Sequence, residues 1–172
     1  NYKKIVEISV KRNPKKIDKQ QFQNYRIEEI TIPDGVEIID EDAFNNCSLL
    51  KNVIFPSSLS LIKNGAFNQC VLLTQLNFPS SLESIDSFAF SGCISLLELN
   101  IPSSVKSIGS NAFSNCTSLT KVLIPSSVSF FGSNVFDNCI KLEEVTMDPY
   151  QEPIYNSIFP NCPSLRSLLI QT

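Results

Sequence analysis

Residues 96–116 read L-L-E-L-N-I-P-S-S-V-K-S-I-G-S-N-A-F-S-N-C, and variants of this phrase recur along the chain every 23 residues. Three columns carry the period: Cys47, Cys70, Cys93, Cys116, Cys139 and Cys162; Phe44, Phe67, Phe90, Phe113, Phe136 and Phe159; Pro33, Pro56, Pro79, Pro102 and Pro125. A unit this short cannot enclose a core alone, so successive units must stack and bury each other's apolar faces. We therefore predict one elongated solenoid domain over residues 1–172, with about seven repeats and eight strands.

Each unit begins with an alternating stretch such as V-x-F or L-x-I, which is typical of a β-strand with one buried side. Strands repeated in the same sense should pair in parallel. The inward positions form two columns: Ile8, Ile30, Val53, Leu76, Leu99, Val122, Val145 and Leu168, then Val10, Ile32, Phe55, Phe78, Ile101, Ile124, Met147 and Ile170. The first unit is one residue shorter than the others, and this alignment places Ile8 opposite Ile30.

The proline after each strand cannot donate to a ladder, so it marks the strand's end and a change of direction. One serine of each following Ser-Ser pair is expected to bond backbone groups at that corner. In the return from Leu59 to Cys70, the apolar residues Ile62, Ala66 and Phe67 are spaced as on a helix. The pattern predicts one or two turns of 3₁₀ or α-helix on each return.

The cysteine column has two interpretations, a disulfide or metal set and a row of buried free thiols. The chain has no histidine and no paired-cysteine ligand motif. Cysteines on successive turns would lie about 4.8 Å apart, wider than the roughly 3.5–4.5 Å between Cβ atoms in a disulfide. Cysteine is also among the most buried residue types. The column is therefore predicted to be structural core, with no metal and no cofactor.

The phrase from Leu96 to Cys116 resembles the leucine-rich repeats of the BspA-like class, and the resemblance extends from about residue 5 to residue 172. It implies an α/β fold, a right-handed curved solenoid with a parallel sheet on the concave side and short helical returns on the convex side. Members of this class occur on the surfaces of bacteria and protists, where they are linked to adhesion and host-protein binding. The resemblance brings no catalytic residues. Departures at Asp148, Pro153 and Pro163 predict less regular final turns.

Charge is unevenly distributed along the chain. Residues 1–26 carry a net charge of +6 and the remainder −9, within a total of −3. The basic segment could contact an anionic surface, or it could serve solubility and attraction between copies. Aromatic residues are not interleaved with its lysines and no glycine-rich loop accompanies them, which argues against a nucleic-acid partner. Acidic residues at 34–42 have irregular spacing that favours a solvated turn over a calcium loop.

The outward positions of the predicted strands should line the concave face, where solenoids usually bind partners. The candidate protein-binding residues are Asn52, Ile54, Gln75, Asn77, Glu98, Asn100, Lys121 and Leu123. This mixture of amide and aliphatic side chains suits protein recognition better than nucleic acid. The alternative is an ordinary solvated sheet face with scattered apolar residues.

Composition and motifs exclude an enzyme, because no nucleophile with a matched base, phosphate loop or metal cluster is present. We expect a non-enzymatic protein-interaction module, either a cell-surface adhesion protein or, as the alternative, a cytoplasmic scaffold for signalling or cytoskeletal proteins. Two N-x-S/T sequons, at Asn46 and Asn115, would permit glycosylation on a secretory route, whereas six free thiols suit a reducing cytosol. The polar start without methionine indicates a piece of a longer chain. Terminal repeats without caps predict self-association.

Overall fold

The computed structural model describes residues 6–7, 15–147 and 155–170. In these residues the chain forms a parallel-strand β-solenoid of about six turns with two ladders. The first ladder contains the strands that precede the proline positions: β1 (Val6–Glu7), β3 (Glu29–Thr31), β5 (Asn52–Ile54), β8 (Glu98–Asn100), β10 (Lys121–Leu123), β12 (Glu144–Met147) and β13 (Ser167–Ile170). The second ladder contains shorter strands from the returns: β2 (Lys16–Ile17), β4 (Ile38–Ile39), β6 (Leu61–Ile62), β7 (Ser84–Ile85), β9 (Ser107–Ile108) and β11 (Phe130–Phe131).

The register of both ladders follows the sequence repeat except at the first strand. Val122 is opposite Leu99 and Val145, and Ile85 is opposite Ile62. In β1, however, Val6 pairs with Ile30. The predicted alignment of Ile8 with Ile30 is therefore wrong by two residues, because ten positions separate the paired residues Val6 and Lys16 whereas eight separate their partners Ile30 and Ile38. Ile8 and Val10 themselves lie outside the described residues.

The first ladder is divided into two sheets. One has the order β1-β3-β5 and the other the order β13-β12-β10-β8, whereas the second ladder is one six-stranded sheet. The predicted strand around Leu76, which would join the two sheets, is not formed. In the described residues the first ladder thus has seven strands, one fewer than the eight predicted.

The predicted helical returns are wrong. In the described residues the only helix is α1 (Tyr155–Ile158), and the other returns are short strands and turns. Residues two positions before and after each phenylalanine of the stack from Phe22 to Phe136 adopt positive φ, as at Asp42 (54°) and Asn46 (58°), and such residues interrupt a helix. Their neighbours bond the next turn instead: the Phe44 N–H donates to the Ala66 carbonyl at 2.7 Å. The helix-like apolar spacing therefore came from successive tight turns.

A stack of phenylalanine rings runs through the core. Seven rings from Phe22 to Phe159 lie nearly parallel, with centroids 5.0–5.6 Å apart between neighbouring turns. Isoleucines and leucines of the two ladders fill the space beside it and are almost wholly buried. Each full turn buries the phenylalanine ring of its neighbour, so a repeat is stabilised by packing against adjacent repeats and not by contacts within itself.

The serine corners are only partly as predicted. The Ser58 Oγ accepts from the Gly35 N–H and donates to the Val36 carbonyl, and the Ser81 Oγ donates to the Leu59 carbonyl at 2.6 Å. The equivalent Oγ atoms of Ser104 and Ser127 are buried without a hydrogen-bond partner. The corner hydrogen bond is therefore confined to the earlier turns.

Of the departures from the repeat, Asp148 and Pro153 lie outside the described residues. Pro163 leaves its turn intact, because the Leu165 N–H still donates to the Cys162 carbonyl at 3.2 Å. Among the described residues, no helix is long and apolar enough to cross a membrane.

Candidate functional site

The predicted binding residues all lie on the outward side of the first ladder, but they fall into three groups. Asn52 and Ile54 belong to β5, and Gln75 and Asn77 lie in the break between the two sheets. The third group occupies β8 and β10, where the pairs Glu98–Lys121 and Asn100–Leu123 stand opposite each other: Glu98, Asn100, Lys121 and Leu123. Asn52 and Leu123 are half-buried and the other six are exposed.

The break at residues 75–77 leaves a rung of open backbone in the middle of this face. The N–H and C=O groups of Gln75, Leu76 and Asn77 make no hydrogen bond to any described residue. At the edge of the break, the Leu97 N–H still donates to the Thr74 carbonyl at 3.3 Å. Backbone polar groups seek partners, and of these three residues Gln75 and Asn77 are exposed to solvent whereas Leu76 is buried.

Two phenylalanines mark the break. In the second inward column, Phe55 and Phe78 stand where the other turns have valine, isoleucine or methionine. Their centroids are 5.8 Å apart, slightly wider than the 5.0–5.6 Å between the rings of the central stack. Each ring also packs edge-on against the central stack, Phe55 on Phe67 and Phe78 on Phe90. Both rings are only partly buried, and they belong to the third and fourth rungs, between which the pairing is lost.

A groove of about 270 Å³ lies over the break. Its lining consists of Asn52, Val53, Ile54, Phe55, Gln75 and Asn77. The three amide side chains each donate and accept hydrogen bonds, and none of the lining residues is charged. Ile54 is 55% exposed, unusually open for a branched apolar side chain. The groove can therefore hold a neutral group that has both polar and apolar parts.

Two lysines on this face are paired within the chain. Lys51 contacts Glu28 at 3.0 Å, and Lys121 contacts Glu144 at 2.7 Å. The hydrogen bond to Glu144 raises the pKa of the Lys121 amine. Both pairs are exposed and contribute little to stability. Two exposed carboxylates, Glu29 opposite Asn52 and Glu98 opposite Lys121, stand on the rungs beside the groove.

Exposed apolar side chains also occur in the turns that precede the first ladder, beside the groove. The apolar corner that they form consists of Leu72, Ile94 and Leu97, which are 37%, 44% and 53% exposed. The equivalent residues in the adjacent turns are Leu49 and Ser95 for Leu72, Val71 and Thr117 for Ile94, and Thr74 and Thr120 for Leu97. This corner was not predicted from the sequence, although a leucine at position 97 between two threonines of its column could have indicated it.

The acidic segment at residues 34–42 is engaged with the basic start of the chain. Lys15 pairs with Glu37 and Lys19 with Glu41, while Asp40 contacts Lys16 at 3.3 Å and Lys63 at 3.0 Å. The backbone N–H of Glu41, followed by the two lysines, lowers the pKa of Asp40 to about 2. These lysines therefore have intramolecular partners across adjacent turns.

The cysteine column lies in the core. Cys47 to Cys139 are buried, Cys162 is half-buried, and all six are unpaired. Each thiol donates to a phenylalanine carbonyl in the preceding turn, as from Cys93 Sγ to Phe67 O at 3.5 Å. Burial raises the pKa of Cys47 to about 12 and raises the pKa values of Cys70, Cys93 and Cys116 well above the usual value of a thiol. These shifts favour the protonated thiol, which is the form that donates these hydrogen bonds.

The two sequon asparagines occupy structural positions on the returns. Asn46 and Asn115 have positive φ values of 58° and 59°. The Asn46 side-chain amide donates to Asn24 at 2.7 Å, and the Asn115 side chain accepts from Asn138 at 2.8 Å. The turn favours residues that accept positive φ at these positions, as Asn138 and Gly92 do in the same column, and this role is independent of any glycosylation.

A second groove, of about 300 Å³, lies on the outward side of the second ladder. It is lined by Asn64, Ile85, Asp86, Ser87, Ser107, Gly109 and Phe130. Unlike the groove over the break, it contains a carboxylate, and the backbone around it belongs to an unbroken ladder. In the described part of the chain, no group of three or more cysteine and carboxylate side chains is arranged to hold a metal ion.

Sequence comparison with protein families places the chain in a repeat class. The BspA-type leucine-rich repeat region matches residues 1–86 and 61–172, with six copies. The chain therefore belongs to the BspA-type leucine-rich repeat family, as its repeating phrase predicted.

Solved structures of bacterial leucine-rich repeat proteins are similar to this chain. A leucine-rich repeat protein from Bacteroides ovatus is 33% identical, with a TM-score of 0.78 over 89% of this chain and 40% of that one. A leucine-rich cell surface protein from Faecalibacterium prausnitzii is 33% identical, with a TM-score of 0.69 over 77% of this chain and 35% of that one. The leucine-rich repeat protein of T. pallidum is 28% identical, with a TM-score of 0.69 over 89% of this chain and 65% of that one.

The chain thus spans between 35% and 65% of the length of these three proteins. Among curated protein sequences no match was found.

Proposed function

We propose that this chain is a non-enzymatic module that binds another protein through the outward side of the first ladder. The observation that carries the proposal is the uncharged, amide-lined groove beside the exposed side chain of Ile54. Exposed apolar groups next to adaptable hydrogen-bonding groups are the composition of protein interfaces. The apolar corner extends this surface at the edge of the same face.

A location at the cell surface, with a role in adhesion or host-protein binding, is the finer form of this proposal. It is supported by the family and by the F. prausnitzii relative, which is described as a cell surface protein. The six unpaired thiols support a second candidate, an intracellular scaffold. Biotinylation of intact source cells with an impermeant reagent separates the two: labelling supports the surface protein, and labelling only after lysis supports the scaffold.

The binding face can be tested with two asparagine variants that make the same chemical change on different faces. Asn100→Arg adds a long cation to the exposed middle of β8, and Asn64→Arg adds the same cation beside the second groove. Each purified variant is immobilised and incubated with proteins from the source cells and their medium, and the captured proteins are quantified by mass spectrometry.

We expect proteins captured by the unaltered chain to fall at least tenfold with Asn100→Arg, because a desolvated cation without a partner is unfavourable at an interface. Capture should persist with Asn64→Arg. Equal capture by both variants, or selective loss with Asn64→Arg, would contradict binding through the first ladder.

A further inference from the structure

We propose that the break at residues 75–77 is the anchor point of this interface and takes an extended, uncharged peptide segment of the partner with a branched apolar side chain. This inference rests on the proposed function, because it names the chemistry that the same face would recognise. The strands β3, β10 and β12 are paired on both sides, whereas β5 and β8 are paired only on the side away from the break.

The polar groups at the break match those of a peptide backbone. The side chains of Asn52, Gln75 and Asn77 each offer an NH₂ donor and a carbonyl acceptor. The backbone of residues 75–77 adds donors and acceptors that no described residue satisfies. A peptide main chain carries the same donor and acceptor at every residue, so it can satisfy both kinds of group along the groove.

The charge at the break selects a neutral segment. No carboxylate or amine lines the groove, and Lys51 and Lys121 on the same face are already paired with Glu28 and Glu144. The carboxylates of Glu29 and Glu98 stand on the neighbouring rungs and are not part of the lining. A charged side chain entering the groove would lose hydration without gaining a counter-charge within the lining, which is unfavourable. A neutral side chain has no such penalty.

The apolar groups at the break give the segment its anchor. Ile54 and Phe55 border the groove, and a volume of about 270 Å³ accommodates one leucine-sized side chain together with its peptide groups. The apolar corner at Leu72, Ile94 and Leu97 offers a second contact, because Leu97 is hydrogen-bonded to Thr74 immediately before the open rung. An extended chain places alternate side chains on one side, so it can use both contacts.

Blocked tripeptides provide a direct test on the isotopically labelled chain. The probes are acetyl-Thr-Leu-Thr-amide, its versions with aspartate or lysine at the centre, and N,N′-diacetylchitobiose as a carbohydrate. Each is titrated to about 10 mM while amide signals are followed by NMR, because a ligand of this size is expected to bind with a dissociation constant of about 1 mM.

The leucine peptide should shift the backbone signals of residues 75–77 and the side-chain amide signals of Asn52, Gln75 and Asn77. The charged peptides should bind about tenfold more weakly. Shifts confined to other faces, the absence of shifts at the break, or stronger binding by the carbohydrate would overturn the inference.

Variants tie the binding to the break. Phe78→Ile restores the isoleucine of neighbouring turns and should close the groove, lowering affinity for the leucine peptide about tenfold. Asn77→Asp adds a carboxylate at the break and should have a similar effect without altering the core, whereas its matched control Asn64→Asp should leave affinity unchanged.

The capture assay also separates failure of the peptide anchor at the break from failure of the proposed protein-binding function. If Asn100→Arg abolishes partner capture while Asn77→Asp and Phe78→Ile do not reduce it, the first ladder remains the interface but the break is not its anchor. If Asn77→Asp and Phe78→Ile reduce capture and Asn64→Asp does not, the inference is supported.

Discussion

The two ladders are built by the same repeat, yet only one of them is continuous. The second ladder is an unbroken six-stranded sheet from β2 to β11, with isoleucine as its inward residue in five of six strands. The first ladder separates after β5 and resumes at β8. Its inward residues are more varied, and the separation coincides with the pair Phe55 and Phe78.

This difference shows that the fold tolerates a local loss of pairing when the rest of the turn is held. The phenylalanine stack continues past the break, with centroids 5.2 Å apart between Phe67 and Phe90. The cysteine thiols likewise keep their hydrogen bonds on either side of it. The second ladder and the core therefore carry the stability, which leaves the first ladder free to carry a recognition surface.

Hydrogen exchange should give the largest contrast between the ladders. The Asp86 N–H, which donates to the Ile62 carbonyl at 2.9 Å in the second ladder, should exchange at least about a thousandfold more slowly than the unbonded Asn77 N–H. The measurement is residue-resolved exchange in D₂O by NMR, corrected for intrinsic rates. Similar protection at both amides would mean that the fourth rung joins the first ladder in solution.

Truncating one buried aliphatic side chain in each ladder should show how much each ladder contributes to the free energy of unfolding. Ile85→Ala in the second ladder should lower the free energy of unfolding by about 3–4 kcal/mol, because paired neighbours cannot collapse into the cavity. Leu76→Ala at the break should lower it by about 2 kcal/mol, because the unpaired rung can relax. Urea unfolding followed by circular dichroism measures both, and a larger loss for Leu76→Ala would contradict this assignment of stability.

Much of the fold could be predicted because the repeat itself is a constraint on structure. Val53, Phe67 and Cys70 have apolar counterparts every 23 positions, and this recurrence identified the core columns. Because every repeat runs in the same direction, its strands were expected to pair in parallel, as they do. The returns were misjudged for a local reason. Asparagine and glycine at fixed places, such as Asn46 and Gly92, provide positive φ, and apolar spacing alone does not distinguish such turns from a helix.

The position of the candidate face was also predictable, whereas the break within it was not. Alternation along Asn52–Ile54 placed those side chains outward, but it could not show that pairing would be lost at the next rung. The sequence did contain a sign of the break, because only Phe55 and Phe78 replace the aliphatic residues of their column. Converting that sign into a groove requires the distance between the rings, which depends on how both pack against Phe67 and Phe90.

The smallest expected effect is electrostatic: ion pairs at the first turns of the second ladder stabilise that ladder. Asp40 follows β4 and is held between Lys16 and Lys63 of the adjacent turns, with its side chain 14% exposed. Its pKa of about 2 is below the unfolded value of roughly 3.9, so its contribution to stability is present above pH 5 and is lost as pH falls towards 2.

After allowance for solvent screening, this contribution is about 1 kcal/mol. Asp40→Asn should remove that part of the acid dependence, measured as the change in free energy of unfolding between pH 6 and pH 2.5. Lys63→Met should have a smaller effect in the same direction, because the Glu41 N–H still bonds the carboxylate at 2.8 Å. An unchanged acid dependence in Asp40→Asn would mean that the lysines do not stabilise the second ladder, and its continuity would then rest on the buried isoleucines alone.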